Sequence, residues 1–178
     1  RTPSRAEAIA TRLKSRPVPY SALPAGADIV VVQTPPAQHA SDALQALAAG
    51  AAVIVEKPLC RTLDEADRVV AAAEANGNRL LYGENLAYAP VVTEFIRRVR
   101  SLGTLSHLEV RAINPLPTWG GFTTDEWGGG ALFDLGVHPL AVALLAAAPA
   151  VPRLVQARLD GSPSGRHRSD EVAEVVVQ

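Results

Sequence analysis

"ADIVVVQTPPAQHASDALQALAAGAAVIVEKPL", residues 27–59, is the stretch on which the fold turns. Its first part, 27–34, is a short β-branched run of the kind found in a parallel strand buried on both faces. Residues 37–50 then change to helical spacing and stop at Gly50, a natural left-handed cap. "AAVIVE", 51–56, is a second buried strand. Strand, helix and strand within about 30 residues form a βαβ unit, which requires a parallel sheet.

The pattern extends in both directions. Residues 2–15 open with Thr2 as N-cap and Pro3 at the first helical position, and place Ala6, Ile9, Ala10 and Leu13 on one stripe. Residues 62–77 begin with the capping box Thr62-x-x-Glu65, continue as an amphipathic helix and close on Asn76-Gly77; "RLLYG", 79–83, reads as a third strand. After residue 84 the rhythm changes. A helix over 89–103 precedes an alternating strand over 105–114, and a Pro/Gly/Trp-rich loop over 115–130 leads into a Leu/Ala-rich helix. Two further strands near 153–160 and 172–177 flank a polar hairpin loop over 161–170. The fold class is therefore α/β. A partial parallel sheet over residues 1–84 is followed by an incomplete α+β unit with an antiparallel sheet over 85–178.

Composition narrows the partners. The chain has 178 residues, 48% hydrophobic and 20% charged, with a formal net charge of −1, so no electrostatic footprint for nucleic acid or an anionic membrane is present. A small-molecule ligand fits better. The single cysteine, Cys60, excludes an internal disulfide and a cysteine-rich metal site, which makes a reducing, cytoplasmic setting the default. No apolar run approaches the roughly 20 residues of a membrane span. The lack of methionine, the arginine at position 1 and a strand-like end at 170–178 with no turn point to a piece of a longer reading frame. Its missing start leaves room for a targeting signal.

A parallel sheet binds ligands beyond the carboxyl ends of its strands. The residues there are Thr34-Pro35-Pro36, Glu56-Lys57-Pro58 and Glu84-Asn85. Lys57 is either a surface ion-pair lysine or a cation that holds or protonates a substrate oxygen. Within "GGGALFDLGVHPL", 128–140, Asp134 and His138 stand four positions apart, as a helix-terminus residue and a core imidazole or as a working pair. Pro139 leaves two geometries open. Either the helix is kinked there, or it begins near His138 with Pro139 in its first turn, so that the two residues need not stack. His39 and His107 read as structural or solvent-facing, and Cys60 as a packing residue. No metal-ligand spacing occurs, and the three glycines allow close backbone approach ahead of the next helix.

Taken in order and spacing, T-P-x-x-x-H (34–39), E-K-P-L (56–59) and G-G-G-x-L-x-D-x-G-x-H (128–138) resemble the glucose-fructose oxidoreductase/inositol dehydrogenase/rhizopine catabolism (Gfo/Idh/MocA) family. The resemblance covers nearly the whole chain. It implies a Rossmann domain followed by an α+β domain whose open sheet forms homo-oligomers, and hydride transfer between NAD or NADP and a hydroxyl or ketone of a sugar, cyclitol or related small molecule. It also implies roles. Lys57 corresponds to the catalytic lysine, Asp134 to the substrate-ordering aspartate and His138 to the proton-transferring histidine. Thr34, Pro35, Glu56 and Lys57 fall where the family contacts the cofactor, and Asn85 falls in its substrate-side loop. The chemistry is consistent, because alcohol oxidation needs a base that titrates near neutrality, as a free imidazole does at about 6.5.

Three departures accompany the resemblance. The family's first strand and Gly-x-Gly-x-x-Gly loop are absent, so the chain alone is expected to bind a dinucleotide weakly. Pro36 replaces the usual asparagine after T-P, and Ala141 replaces an aspartate often found three residues past the histidine, which makes the pocket less polar. The alternatives are a non-catalytic dinucleotide-binding sensor of the same fold, or an inactive fragment. Retention of Lys57, Asp134 and His138 together argues against a sensor.

Overall fold

A computed structural model describes residues 3–19, 22, 26–77, 79–115, 129–161 and 169–178. Its elements run α1 (Pro3–Arg12), β1 (Ile29–Val32), α2 (Pro36–Ala48), β2 (Ala52–Glu56), α3 (Leu63–Ala75), β3 (Leu80–Gly83), α4 (Pro90–Ser101), α5 (Val137–Ala147), β4 (Leu154–Gly161) and β5 (Asp170–Val177). A 3-10 turn spans Asn85–Tyr88 and a π-helical turn spans Ala131–Gly136.

Strands β1, β2 and β3 form a parallel sheet in that order, with Val32 opposite Val55 and Glu56 opposite Gly83. Helices α2 and α3 pack on one another, and α2 lies against β1 and β2. Together they enclose a core of Val32, Ala40, Ala43, Leu47, Val53, Val55, Cys60 and Val69. Alanines on α2 allow the helix to approach the sheet closely. The local signals act as the sequence implies. Gly50 and Gly77 take φ of 83° and 72°, and the Thr62 side chain accepts from the Glu65 backbone N–H at 3.2 Å. The reciprocal half of the capping box differs, since the Glu65 carboxylate accepts from Arg61 N–H rather than from Thr62.

Three expectations need correction. β1 is not buried on both faces, because Ile29 and Val31 are 62% and 52% exposed; helices cover only the Val32 side among the described residues. In α1 only Ala10 of the apolar stripe is buried, while Ile9 and Leu13 remain exposed; the Thr2 cap lies outside the described residues. Residues 105–114 form no strand. Their alternation survives as half-buried Leu108 and Val110 beside exposed Glu109 and Arg111, but no neighbouring strand among the described residues supplies the hydrogen bonds that would make a ladder.

The antiparallel pair β4 and β5 forms as expected and pairs Leu154 with Val177 and Gly161 with Asp170. β5 alternates half-buried and exposed positions, whereas β4 is exposed along nearly its whole length. The polar connection over 162–168 lies outside the described residues, as does most of the 115–130 loop. No helix among the described residues is long and apolar enough to cross a membrane.

His39 is not solvent-facing. It is 1% exposed, and its Nδ1 and Nε2 lie 2.6 Å from the carbonyl oxygens of Pro58 and Thr34. The ring thus bridges the backbone just past β1 to the backbone just past β2, which explains the histidine five residues after Thr34. His39→Ala removes a buried ring together with its N–H bond to a backbone carbonyl, so unfolding free energy is expected to fall by about 3 kcal/mol in urea denaturation.

Cys60 packs into the same core, as its sequence context implies. Burial and then the charge of Glu65 raise its thiol above the ordinary 9.0; burial, Glu84, Cys60 and Glu56 likewise raise the Tyr82 phenol above 10.0. In both cases the folded state favours the protonated form. Their contribution is complete below the unfolded-state values and is lost as pH rises past them, because the unfolded chain then releases its protons first. Urea midpoints are expected to decline from about pH 8 to about pH 10.5, and Cys60→Ala to flatten the early part of that decline.

Candidate active site

The carboxyl ends of β1, β2 and β3 lie side by side because the sheet is parallel and in register. At or just beyond these ends come Thr34-Pro35, Glu56-Lys57 and Glu84-Asn85, Glu56 being the last residue of β2. Pro35 caps α2, with φ −56° and ψ 144°. The Thr34 hydroxyl donates to Asp42 Oδ2 at 2.7 Å, which ties the loop after β1 to the helix that follows it. The Glu56 carboxylate accepts from the Lys57 backbone N–H at 3.1 Å.

Lys57 reaches out of this edge into the second half of the chain. Its Nζ donates to Asp134 Oδ1 at 2.8 Å and to the Asp134 carbonyl oxygen at 2.6 Å, across 77 positions of sequence. Two acceptors from one residue fix the ammonium more firmly than a lone ion pair would. Both side chains keep partial solvent access, so the cation can still meet a ligand oxygen.

Asp134 is placed by an unusual segment. Residues 131–136 make a π-helical turn, and the Leu132 backbone N–H donates to Asp170 Oδ2 at 2.8 Å. Gly130 makes this possible. It has φ 111°, and a Cβ there would run into the Asp170 carboxylate. The expected close approach is thus observed at Gly130, and what approaches is a side chain of β5; Gly128 lies outside the described residues.

The turn runs directly into α5, which starts at Val137. Gly136 and Val137 are themselves helical, so Pro139 lies inside one helical segment that changes from π to α pitch just ahead of it, nearer the kinked alternative than a fresh start. The Asp134 carbonyl, five residues before the proline, accepts from Lys57 Nζ. Asp134 and His138 have different partners. His138 Nδ1 lies 2.7 Å from Glu84 Oε1, while Asp134 holds Lys57. Glu84 follows β3, is 3% exposed and caps the 3-10 turn by accepting from Leu86 N–H at 3.0 Å. Asn85, the first residue of that turn, is exposed.

Glu84 is the residue whose role the sequence does not reveal. Its place at a strand's carboxyl end is visible, but its pairing with His138 depends on contact between α5 and the 3-10 turn. No group of three or more potential metal ligands occurs among the described residues.

A parallel βαβ sheet with polar residues converging at its carboxyl edge defines a nucleotide-binding α/β protein of the Rossmann type. Residues 1–84, just under half of the chain, match the family GFO_IDH_MocA, described as "Oxidoreductase family, NAD-binding Rossmann fold".

Among curated relatives, the dTDP-3,4-didehydro-2,6-dideoxy-alpha-D-glucose 3-reductase of Saccharopolyspora spinosa is 35% identical over 150 residues, covering 80% of this chain and 45% of the relative. The D-glucoside 3-dehydrogenase of Escherichia coli (strain K12) is 34% identical over 123 residues, covering 66% of this chain and 35% of the relative. The crystal structure of GenD2 from gentamicin A biosynthesis, in complex with NAD, superposes with a TM-score of 0.81 at 30% identity, covering 96% of this chain and 51% of that one. The chain therefore spans about half the length of that structure, and less of the two curated relatives.

Proposed function

We propose that this chain carries the nicotinamide-facing edge and the proton-transfer residues of an NAD(P)-dependent sugar oxidoreductase, acting on a hydroxyl or ketone at carbon 3 of a hexose or glycoside. The observation that carries the proposal is the Lys57–Asp134 contact, which brings the carboxyl edge of the parallel sheet against the turn that leads to His138. The position of the reacting carbon rests on the two curated relatives, both named for chemistry at that carbon.

The residues fit a dinucleotide on this side of the sheet. Backbone and side chains at Thr34, Pro35, Glu56 and Lys57 lie at or just beyond the ends of adjacent parallel strands, where a crevice forms in open α/β sheets. When bound, the cofactor supplies the hydride acceptor in oxidation and the hydride donor in reduction.

The chain's own residues manage the oxygen and its proton. The Lys57 ammonium, steered by Asp134, stabilises negative charge developing on the substrate oxygen. Asp134 also offers a carboxylate to orient a neighbouring hydroxyl. His138 takes the O–H proton as the carbon loses its hydride, so one proton and one hydride leave the alcohol and a ketone remains; reduction runs the same transfers backwards. Asn85, exposed and next to Glu84 in the sequence, supplies an amide for the sugar. The second half of the chain, from about residue 85, acts as the substrate-side unit and associates with further copies of the protein through its antiparallel sheet.

The test is turnover by the protein that carries this chain, with NAD and NADP against a panel of glycosides, nucleotide sugars and their 3-keto forms, followed by nicotinamide absorbance. Turnover with products altered at carbon 3 is expected. Cofactor binding with no turnover across the panel would overturn the proposal and favour a sensor.

A further inference from the structure

We infer that Glu84 is the positioning residue for the His138 imidazole, fixing its tautomer so that Nε2 is the nitrogen facing substrate; this rests on the proposed role of His138 in proton transfer. Both contacts of the carboxylate go through one oxygen. Oε1 accepts from Leu86 N–H at 3.0 Å and lies 2.7 Å from His138 Nδ1, while Oε2 is buried and has no partner among the described residues. A carboxylate 3% exposed with an orphaned oxygen is costly, and an apolar side chain would fill the same space without that cost. Packing alone does not account for a glutamate here.

The contact to the ring has a chemical consequence. Facing a carboxylate oxygen, Nδ1 must be the nitrogen that bears hydrogen, so the lone pair of the neutral ring is left on Nε2. His138 Nε2 makes no hydrogen bond among the described residues, and the side chain keeps 18% exposure. Nε2 is thus free to accept a proton from a substrate hydroxyl. When it does, the positive ring is already beside a carboxylate that compensates its charge, as carboxylates do for histidines in triads. The geometry spans the molecule. Glu84 is anchored after β3 and His138 at the start of α5, so the bond also sets the ring's direction relative to the sheet edge that holds Lys57.

Imidazole proton–nitrogen correlation spectra test this without reliance on activity, because the chain has only four histidines to distinguish. In the unaltered protein the His138 ring is expected to carry hydrogen on Nδ1 at every pH at which the fold persists. Glu84→Gln retains an acceptor oxygen and is expected to preserve that pattern; Glu84→Ala is expected to move the neutral ring towards the Nε2–H form. In turnover, Glu84→Ala is expected to lower kcat about 10- to 100-fold with KM little changed, and Glu84→Gln to recover most of it. A neutral His138 bearing hydrogen on Nε2 in the unaltered protein overturns the inference, as does an unchanged Nδ1–H ring in Glu84→Ala. Should Glu84→Ala not fold, the spectra of the unaltered protein and of Glu84→Gln still decide. Undiminished turnover in His138→Asn would instead overturn the reading on which the inference rests.

Discussion

Lys57→Met is expected to lower kcat/KM by about 10²- to 10³-fold, the usual cost of removing a donor aimed at a developing oxyanion. Methionine keeps the length and apolar stem of lysine but removes the charge, so the effect isolates the ammonium. Affinity for NAD or NADP, followed by fluorescence titration, is expected to change far less, since backbone groups at Thr34 and Pro35 remain. The simplest competing account is that Lys57 only anchors Asp134, to which it donates twice. A double-mutant cycle separates the two. If anchoring were the whole role, Asp134→Asn and the double variant would show the same loss as Lys57→Met; a substantially smaller loss in Asp134→Asn alone supports direct action on substrate. Equal losses in all three would sink the proposed role.

His138→Asn is expected to reduce kcat by about 10²- to 10⁴-fold, with the cofactor still bound, because general acid–base assistance is lost while the site keeps its shape. Asparagine retains a donor near Glu84 Oε1, so local structure should hold. The decisive measurement is kcat for sugar oxidation compared with cofactor affinity in the same preparation. Loss of both together would mean that the substitution damaged the fold. Retention of turnover near the unaltered level would remove His138 from the chemistry.

Much of this molecule is written locally. The β-branched run of β1, the Thr62 cap and the left-handed glycines at 50 and 77 each act within a few residues, so their structural outcome follows from nearest-neighbour sterics and hydrogen bonding. The three motifs that mark the family are likewise contiguous. His39 illustrates the limit. Its spacing from Thr34 is plain in the sequence, but its second carbonyl, that of Pro58, comes from the next strand's end and is met only once β1 and β2 pair.

Long-range pairing accounts for the remaining differences. The alternation over 105–114 specifies two faces but not a partner, and without one among the described residues no ladder forms. Ile29 and Val31 have the side chains of a buried strand, yet whether a face is covered depends on which helices pack over it. Asp134 and His138, four positions apart, suggest one shared helical face. The π-helical turn instead gives them separate partners at the ends of neighbouring strands, Lys57 after β2 for one and Glu84 after β3 for the other.

The sequence by itself determined the βαβ order, the ends of α2 and α3, the family motifs and the identity of Lys57, Asp134 and His138 as the residues to watch, because each is encoded in short-range periodicity or contiguous chemistry. Only the tertiary structure decided that Lys57 grips Asp134 across 77 positions, that Gly130 admits the Asp170 carboxylate, and that a buried glutamate directs the His138 ring. Those contacts join separate elements, and no local pattern specifies which side chain will be within hydrogen-bonding reach once the elements have packed.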